Sequence, residues 1–204
     1  MNIGILGAAK VGQVLAHHLA AAGHQVVIAN SRGPESLRDL AEQLGSRVTA
    51  GHVLEALDNP VVILGVPWTR VRDVLTPEID WDGRVLIDAT NIFTSYAPNF
   101  EIDDLGGDSG SEIVARLAPS ARVVKAFNTL PIDKMFAPVP ADGLRRVLFV
   151  AGDDTDAIAL VEQLVTDIRL APVSIGALAS GGRLMQLGGA LNNLELFRES
   201  TAQE

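Results

Sequence analysis

A glycine turn near the amino terminus has the residue types and the spacing of a phosphate-binding site. It reads Gly7-Ala8-Ala9-Lys10-Val11-Gly12 and directly follows an apolar run. A strand, such a turn and a helix together place a pyrophosphate at the N-terminus of the helix. Gly7 permits the tight turn and Gly12 permits close packing of helix on strand, whereas Ala9 puts one tolerable methyl group where the usual middle glycine stands. The turn therefore predicts a dinucleotide site, to which Lys10 adds positive charge.

A second polar segment predicts which dinucleotide is bound. Asn30-Ser31-Arg32 closes another apolar run about twenty residues after the turn, where NAD-binding proteins carry an acidic residue. A carboxylate there accepts the ribose 2′-hydroxyl of NAD and repels a 2′-phosphate, whereas a hydroxyl and a guanidinium bind the phosphate. We therefore predict NADP(H) as the cofactor, with Asn30 at the place that reads the adenosine ribose.

Three further predicted strands end in residues that suit the same site. They end in Val66-Pro67-Trp68, Ala89-Thr90-Asn91 and Phe127-Asn128-Thr129. Each alone is explained by a strand-terminating turn, because Asn, Pro and Thr are common turn residues. However, the carboxyl ends of parallel strands meet at one edge of a sheet, which is where ligands bind in such proteins. We therefore expect one shared cofactor site along this edge.

These residue types suit the nicotinamide half of the cofactor. Val66 and Pro67 would form an apolar wall against one face of the ring, and Trp68 would either lie beside the ring or pack in the interior. The candidates for hydrogen bonds to the ribose, the carboxamide or a second ligand are Thr90, Asn91 and Asn128.

The strand ends carry no side chain suited to proton transfer. Tyr96 is the single tyrosine and has Phe100 four residues on, so the Tyr-x-x-x-Lys pair of short-chain dehydrogenases is missing. We expect Asp88 to anchor the turn that follows it and Lys125 to be structural. We therefore predict no catalytic residue, and chemistry that depends on the orientation of two ligands rather than on acid–base help.

Composition bounds the class of protein. The 204 residues suit a single domain, and 48% apolar residues with only 4% aromatic ones are typical of helices packed on a parallel sheet. Since there is no cysteine and the four histidines form no metal pattern, we predict no metal site. A net charge of −9 disfavours nucleic acid as a partner. The sequence shows no leader or membrane-length apolar run, so we expect a cytoplasmic protein with no membrane association.

Apolar runs that alternate with helical patterns predict the elements that hold these residues. We predict a Rossmann-type α/β fold, a doubly wound and mainly parallel sheet with helices on both faces. One NADP-binding domain spans 1–204, with its core at about 1–130 and a βαβ-like extension and helical tail at about 131–204. Residues 92–108 are expected to form a long loop, and Ser109 with Glu112 forms a capping box for a helix that ends at Leu117.

The motifs together resemble those of the NADPH-dependent 8-hydroxy-5-deazaflavin coenzyme reductases. The matching segments are Ile-Gly-Ile-Leu-Gly at 3–7, Ala-Asn-Ser-Arg-Gly-Pro at 29–34, Val-Pro-Trp at 66–68, Ile-Asp-Ala-Thr-Asn at 87–91, Val-Lys-Ala-Phe-Asn-Thr at 124–129 and Phe-Val-Ala-Gly-Asp-Asp at 149–154. The resemblance implies a deazaflavin stacked over the nicotinamide, with direct hydride transfer between the rings. It implies NADP contacts from Gly7, Ala9, Gly12 and residues 30–32, nicotinamide contacts from Val66, Pro67, Ala89 and Asn91, and second-ligand contacts from Leu184, Met185 and Leu187.

We therefore expect hydride transfer between NADP(H) and a deazaflavin or flavin coenzyme. Two alternatives stay open. One is NADPH-dependent reduction of a small carbonyl or imine, which would need a proton donor, and the other is an NADP(H)-binding sensor without turnover. A homodimer formed through the apolar segment 191–197 is a further possibility that the sequence leaves open.

Overall fold

The computed structural model describes residues 1–96 and 98–200. The strands are β1 (Asn2–Leu6), β2 (Gln25–Ala29), β3 (Val48–Ala50), β4 (Val61–Leu64), β5 (Val85–Asp88), β6 (Phe93–Ser95), β7 (Glu101–Ile102), β8 (Arg122–Lys125), β9 (Leu144–Gly152), β10 (Ala171–Ser174) and β11 (Phe197–Glu199). The helices are α1 (Lys10–Ala21), α2 (Arg38–Leu44), α3 (Val53–Leu57), α4 (Val71–Val74), α5 (Gly110–Leu117), α6 (Ile132–Met135), α7 (Thr155–Asp167) and α8 (Gly181–Met185), with 3₁₀ turns at Pro34–Leu37 and Trp68–Arg70.

The central sheet has the order β10-β9-β8-β5-β4-β1-β2-β3, and β11 pairs with β9. The strands from β3 to β8 in this order are parallel to their neighbours. β9 joins β8 in the antiparallel sense and has β10 parallel beside it. The predicted Rossmann-type α/β fold with a mainly parallel sheet is therefore confirmed.

The composition of β4 shows why the sheet needs helices on both faces. Val61 and Ile63 pack into a core that includes α1 and α7, while Val62 and Leu64 pack into a second core that includes α3 and α5. All four side chains are buried. A strand covered on both faces gains from an apolar residue at every position, which explains the run without alternation.

The order of the strands creates a crevice beside β1. The chain places β2 on one side of β1 and β4 on the other, so the loops that follow β1 and β4 diverge at this point. Ligands of doubly wound sheets bind at such switch points, outside the carboxyl ends of the strands. The glycine turn follows β1, and Val66 and Pro67 follow β4.

The C-terminal extension differs from the prediction in its last part. β9, α7 and β10 form the expected βαβ-like unit, since β9 and β10 are parallel. In place of the expected helical tail, the five-residue α8 is followed by turns at 188–194 and by β11, which is antiparallel to β9. Gly188 has φ +82°, and a Cβ at Gly189 would lie 2.3 Å from the carbonyl oxygen of Arg183. The helix itself ends at Met185, because Gln186 is already extended, and these glycines shape the turns that follow. The first three residues of β9 then supply backbone partners for β11.

Part of the segment 92–108, which was predicted to be a long loop, also has regular secondary structure. The segment contains a small antiparallel hairpin of β6 and β7. The Phe93 ring packs near Tyr96 and Phe100, with centroids 5.4 Å and 5.6 Å away. The next helix, α5, begins with the predicted capping box of Ser109 and Glu112 and ends at Leu117 as expected. Among residues 1–96 and 98–200, no helix has the length and hydrophobicity needed to cross a bilayer.

Candidate functional site

Two positions of the glycine turn, Gly7 and Gly12, have no room for a side chain. Gly7 has φ +110°, and its N–H donates to the carbonyl oxygen of Ala29 at 2.9 Å. A Cβ on Gly7 would come within 2.5 Å of the Gly65 carbonyl oxygen, and one on Gly12 within 1.9 Å of the Gly7 carbonyl oxygen. The roles predicted for the two glycines, a tight turn and close packing of α1, agree with this geometry.

The N-terminus of α1 is arranged to receive an anion. Ala9 is the N-cap residue, is exposed, and offers no side-chain hydrogen bond to the first turn. The first N–H groups of a helix need partners from outside the helix and lie at its positive end. The Gln13 amide donates to the carbonyl oxygen of Ala8 at 2.8 Å, which holds the turn from within, while Val11 packs on the core. Within residues 1–96 and 98–200 no side chain caps the first turn of α1, so its N–H groups are available to a ligand in the crevice.

Lys10 lies at this helix terminus but already has an acidic partner. Its ammonium is bonded to the carboxylate of Asp133 at the start of α6, and both side chains are exposed. An exposed ion pair of this kind is weak and is easily exchanged for another anion. Lys10 can therefore contribute charge to a phosphate only in competition with Asp133.

The loop after β2 is folded by the side chain of Asn30. The Asn30 Oδ1 accepts the N–H of Arg32 at 2.8 Å, and its Nδ2 donates to the Ser36 hydroxyl at 3.0 Å. The Ser36 hydroxyl in turn donates to the carbonyl oxygen of Gly33 at 2.8 Å. The side chains of Ser31 and Arg32 are exposed. The Asn30 amide, which the sequence suggested as a ribose reader, is thus bonded inside the loop.

A cavity of about 650 Å³ connects the turn, the loop and the end of β4. Its lining includes seven of the predicted residues, which are Gly7, Ala8, Ala9, Asn30, Ser31, Val66 and Pro67. It also includes apolar and charged residues that the sequence reasoning missed, among them Leu54, Arg70, Val74 and Ile79. The sequence signal that could have identified Arg70 is its position three residues after Pro67, close to the end of β4.

At the neighbouring strand ends, a buried ionic network takes up one of the candidate residues, Thr90. The Asp88 carboxylate accepts hydrogen bonds from the Lys125 ammonium at 2.9 Å, the Ser111 hydroxyl at 2.6 Å, and the N–H and hydroxyl of Thr90 at 2.9 Å and 2.7 Å. Lys125 also donates to the carbonyl oxygen of Thr90 at 2.6 Å. The expected roles of Asp88 as an anchor of the turn and of Lys125 as a structural residue agree with these contacts.

The network keeps Asp88 ionised. Burial by itself would raise the pKa of this carboxyl, but the Lys125 charge and the hydrogen bonds from Ser111 and Thr90 outweigh burial and lower the pKa below its ordinary value. Asp88 is therefore not a proton donor near neutral pH. Because the Thr90 hydroxyl is bonded to Asp88 and the residue is buried, that hydroxyl is not available to a cofactor.

Asn91 and Asn128 form a pair at the ends of β5 and β8. The Asn91 Nδ2 donates to the backbone oxygen of Asn128 at 3.0 Å, and the Asn128 Nδ2 donates to the oxygen of Met185 at 2.9 Å and to the Asn91 Oδ1 at 3.2 Å. The Asn128 Oδ1 is buried and has no hydrogen-bond partner among residues 1–96 and 98–200. Phe127, just before it, has φ +62°, a strained value for a residue with a side chain. Ala89, the first residue after β5, is buried.

Trp68 is a packing residue. Its side chain is 2% exposed and lies in the core with α3 and α5, and its Nε1 donates to the Asp103 carboxylate at 2.7 Å. Of the two possibilities that the sequence left open, burial in the interior is the one observed. Two of the residues that the resemblance assigns to the second ligand differ in exposure: Met185 is buried, whereas Leu184 is 43% exposed.

The predicted residues therefore fall into two groups. Residues 7–9, residues 30 and 31, and Val66 with Pro67 meet at the cavity, while Ala89, Asn91 and Asn128 lie at adjacent strand ends outside its lining. Arg32, the next residue of the loop, is exposed and lies outside the lining. Ser36 was missed, because its bond to Asn30 joins residues six apart through a turn that no sequence period reveals.

The amino-terminal part of the chain matches a known family. Residues 2–92 match the protein family described as NADP oxidoreductase, coenzyme F420-dependent. The whole chain is similar to the hypothetical protein SMa0349 from Sinorhizobium meliloti. The two chains are 41% identical, with 98% of this chain and 97% of that one covered, and the TM-score is 0.88.

Two other proteins are more distantly similar. The metalloreductase STEAP3 of Rattus norvegicus is 31% identical over 180 residues, which are 88% of this chain but 34% of that protein, so this chain spans about a third of its length. A provisionally identified F420-dependent NADP reductase from Arthrobacter sp. FB24 is 24% identical, with 89% and 87% of the two chains covered and a TM-score of 0.73. At that identity the second similarity shows the fold alone.

Proposed function

This chain belongs to the same family as SMa0349 from Sinorhizobium meliloti, and we propose that it is an NADPH-dependent oxidoreductase. The proposed reaction is direct hydride transfer between NADP(H) and a deazaflavin or flavin coenzyme. The observation that carries the proposal is the cavity that joins the glycine turn to the loop after β2, where residues 30–32 include no carboxylate.

The residues around the cavity fit NADP(H). The N–H groups at the start of α1, which no side chain of the described residues caps, suit the pyrophosphate, and a side chain on Gly7 or Gly12 would collide with the turn that presents them. The Ser31 hydroxyl and the Arg32 guanidinium suit a 2′-phosphate, because a guanidinium binds phosphate in a bidentate manner. The apolar part of the lining that suits an adenine ring consists of Leu54, Val74 and Ile79.

The nicotinamide is proposed to lie where the chain passes from β4 to its 3₁₀ turn. NADPH supplies the hydride when it is bound. Val66 and Pro67 give the ring an apolar wall that excludes water from one face, and Asn91 and Asn128 are proposed to orient its polar substituents. Leu184, exposed at the neighbouring α8, is proposed to contact the second ligand.

The side chains at the strand ends favour an acceptor that needs no proton from the protein. Asp88 is ionised and Lys125 is buried against it, so neither is positioned to protonate a substrate. A flavin or deazaflavin accepts hydride into a conjugated ring, and the protein then contributes mainly alignment. Reduction of a carbonyl or imine needs a proton donor close to the reacting atom. The family description of residues 2–92 supports the deazaflavin in particular.

The test is an anaerobic assay of NADPH oxidation with the oxidised deazaflavin coenzyme, with FMN and FAD in parallel and NADH as the control for cofactor choice. We expect fast turnover with NADPH and a deazaflavin or flavin, and slow turnover with NADH. Tight binding of NADPH without oxidation by any of these acceptors would contradict the proposed reaction and would favour a sensor. Turnover with small imines or ketones alone would identify the other class of reductase.

A further inference from the structure

We propose that Asn30 and Ser36 are positioning residues that set the preference for NADP(H) over NAD(H) without a side-chain hydrogen bond to the cofactor. They hold the loop of residues 30–36 in the shape that presents Ser31 and Arg32 to the 2′-phosphate. The inference rests on the proposed function, and it concerns how the loop acts rather than which cofactor is bound.

The hydrogen bonds of this loop assign one partner to each polar atom. The Ser36 hydroxyl has a single proton, and the carbonyl oxygen of Gly33 at 2.8 Å is a closer acceptor than the Asn30 Oδ1 at 3.3 Å. The hydroxyl oxygen then accepts the Asn30 Nδ2 at 3.0 Å, and the Asn30 Oδ1 accepts the N–H of Arg32 at 2.8 Å. The amide of Asn30 therefore bridges the start of the loop to its end.

This bridge determines where Arg32 points. A bond from an Asn side chain to the N–H two residues on closes a turn that fixes the backbone between them. Gly33 follows with φ +87°, and Pro34 begins the 3₁₀ turn that carries Ser36. Both ends of the segment 31–33 are thus fixed, although its side chains are exposed. An arginine on a loop without this bridge would lose more conformational entropy on binding a phosphate.

The same bonds explain why an amide suits this position better than a carboxylate. An aspartate at position 30 could also accept the N–H of Arg32, but it could not donate to Ser36. It would also place a negative charge beside the 2′-phosphate. Asparagine provides the turn and the bridge without that charge. Position 30 would then act on cofactor choice through loop shape and charge, rather than by reading the ribose.

The experiment is a double-mutant cycle on cofactor binding. The dissociation constants of NADPH and NADH are measured by titration for the wild type, Asn30→Ala, Arg32→Ala and the variant with both substitutions. We expect Asn30→Ala to weaken NADPH by about five- to tenfold and NADH by less than about twofold, as loss of an ordering hydrogen bond implies. We expect the double variant to bind NADPH no more weakly than Arg32→Ala, because Asn30 acts through Arg32.

Two results would overturn the inference. Equal weakening of NADPH and NADH by Asn30→Ala would mean that Asn30 contacts a part common to both cofactors. Additive losses in the double variant would mean that it contributes independently of Arg32. A wild type that binds NADPH no better than NADH would instead contradict the proposed cofactor, so the two failures are distinguishable.

A second variant and a measurement without cofactor distinguish the proposed role of Asn30 from a general loss of folding. Ser36→Ala removes the far end of the bridge and should weaken NADPH selectively in the same direction, whereas Ser46→Ala, another exposed serine outside the loop, should have no effect. Amide hydrogen exchange at Arg32 should accelerate in Asn30→Ala without any cofactor present, because its N–H loses its acceptor. Unchanged exchange at Arg32 would contradict the role assigned to Asn30.

Discussion

The Lys125 ammonium lies 2.9 Å from the Asp88 carboxylate, and neither side chain is more than 2% exposed. The two residues are register partners on the parallel strands β8 and β5. Asp88 and Lys125 hold Thr90 from both sides, through its N–H and its carbonyl oxygen. The pair therefore fixes the relative position of the two strand ends that carry Asn91 and Asn128.

Removing the cation should destabilise the fold in a pH-dependent manner. Lys125→Met leaves an ionised Asp88 buried without a charge partner, and we expect a loss of about 3–5 kcal/mol in the free energy of unfolding at pH 7. Without the ammonium, burial should raise the pKa of Asp88 in the variant. A raised folded-state pKa favours the protonated form, so the deficit relative to the wild type should shrink between pH 7 and pH 5. Urea unfolding at both pH values measures this.

The wild type should show the opposite trend in acid. The folded-state pKa of Asp88 lies below the unfolded value, so its stabilising contribution is present above about pH 4 and is lost as the pH falls through the lowered folded-state value. The variant Asp88→Asn combined with Lys125→Met carries no charge at either of these two buried positions and should regain part of the stability lost by Lys125→Met. A deficit of Lys125→Met that is the same at pH 5 and pH 7 would contradict this account.

Removing the guanidinium of Arg32 should discriminate between the two cofactors. Arg32→Ala should weaken NADPH by about thirtyfold, or about 2 kcal/mol, because a charge-assisted contact is lost, and it should leave NADH nearly unchanged. The matched control is Arg47→Ala, which removes the same charge just before β3, away from the loop of residues 30–36. Equal weakening of NADPH and NADH would show that Arg32 does not bind the 2′-phosphate.

A methyl group at position 12 should be far more damaging than one at position 65. A Cβ on Gly12 would lie 1.9 Å from the Gly7 carbonyl oxygen, whereas one on Gly65 would make an ordinary contact at 3.5 Å from the Leu6 oxygen. We expect Gly12→Ala to cost about 1–3 kcal/mol in the free energy of unfolding and to displace the turn that receives the pyrophosphate. Gly65→Ala should cost less, and thermal unfolding of the two variants provides the comparison. Equal costs would imply that α1 is free to move away from β1.

Neutralising Asp133 should improve cofactor binding. Asp133→Asn releases Lys10 from its acidic partner and removes a negative charge near the N-terminus of α1, so NADPH should bind about two- to fivefold more tightly at low salt. The gain should vanish at high salt, and it should shrink when Lys10→Ala is added, because only the effect of the removed negative charge then remains. Titrations at about 20 mM and 500 mM salt measure the effect, since the Debye length falls several-fold over this range. No change at low salt would place Lys10 outside the phosphate site.

Most of the fold, and the strand ends at which the site is proposed, could be predicted because the signals are local. The apolar runs of β1, β4 and β5, the glycine turn and the capping box at Ser109 each depend on residues within a few positions of one another. The expected helix beyond α8 failed for the opposite reason. The spacing of apolar residues at 191–197 suits a helix, but Phe197–Glu199 instead pairs with the first three residues of β9, and the spacing does not reveal these backbone partners.

Residue type and short-range order specify the class of fold, the strand ends at which the site is proposed, and the absence of a carboxylate at residues 30–32. How the polar groups are used follows only from the folded chain. Folding put the Asn30 amide inside its own loop, buried Trp68 against Asp103, and paired Asp88 with Lys125 across two strands. The physical reason is that a buried polar group takes the partner that folding brings within hydrogen-bond distance, and residues far apart in sequence meet only when the sheet is assembled.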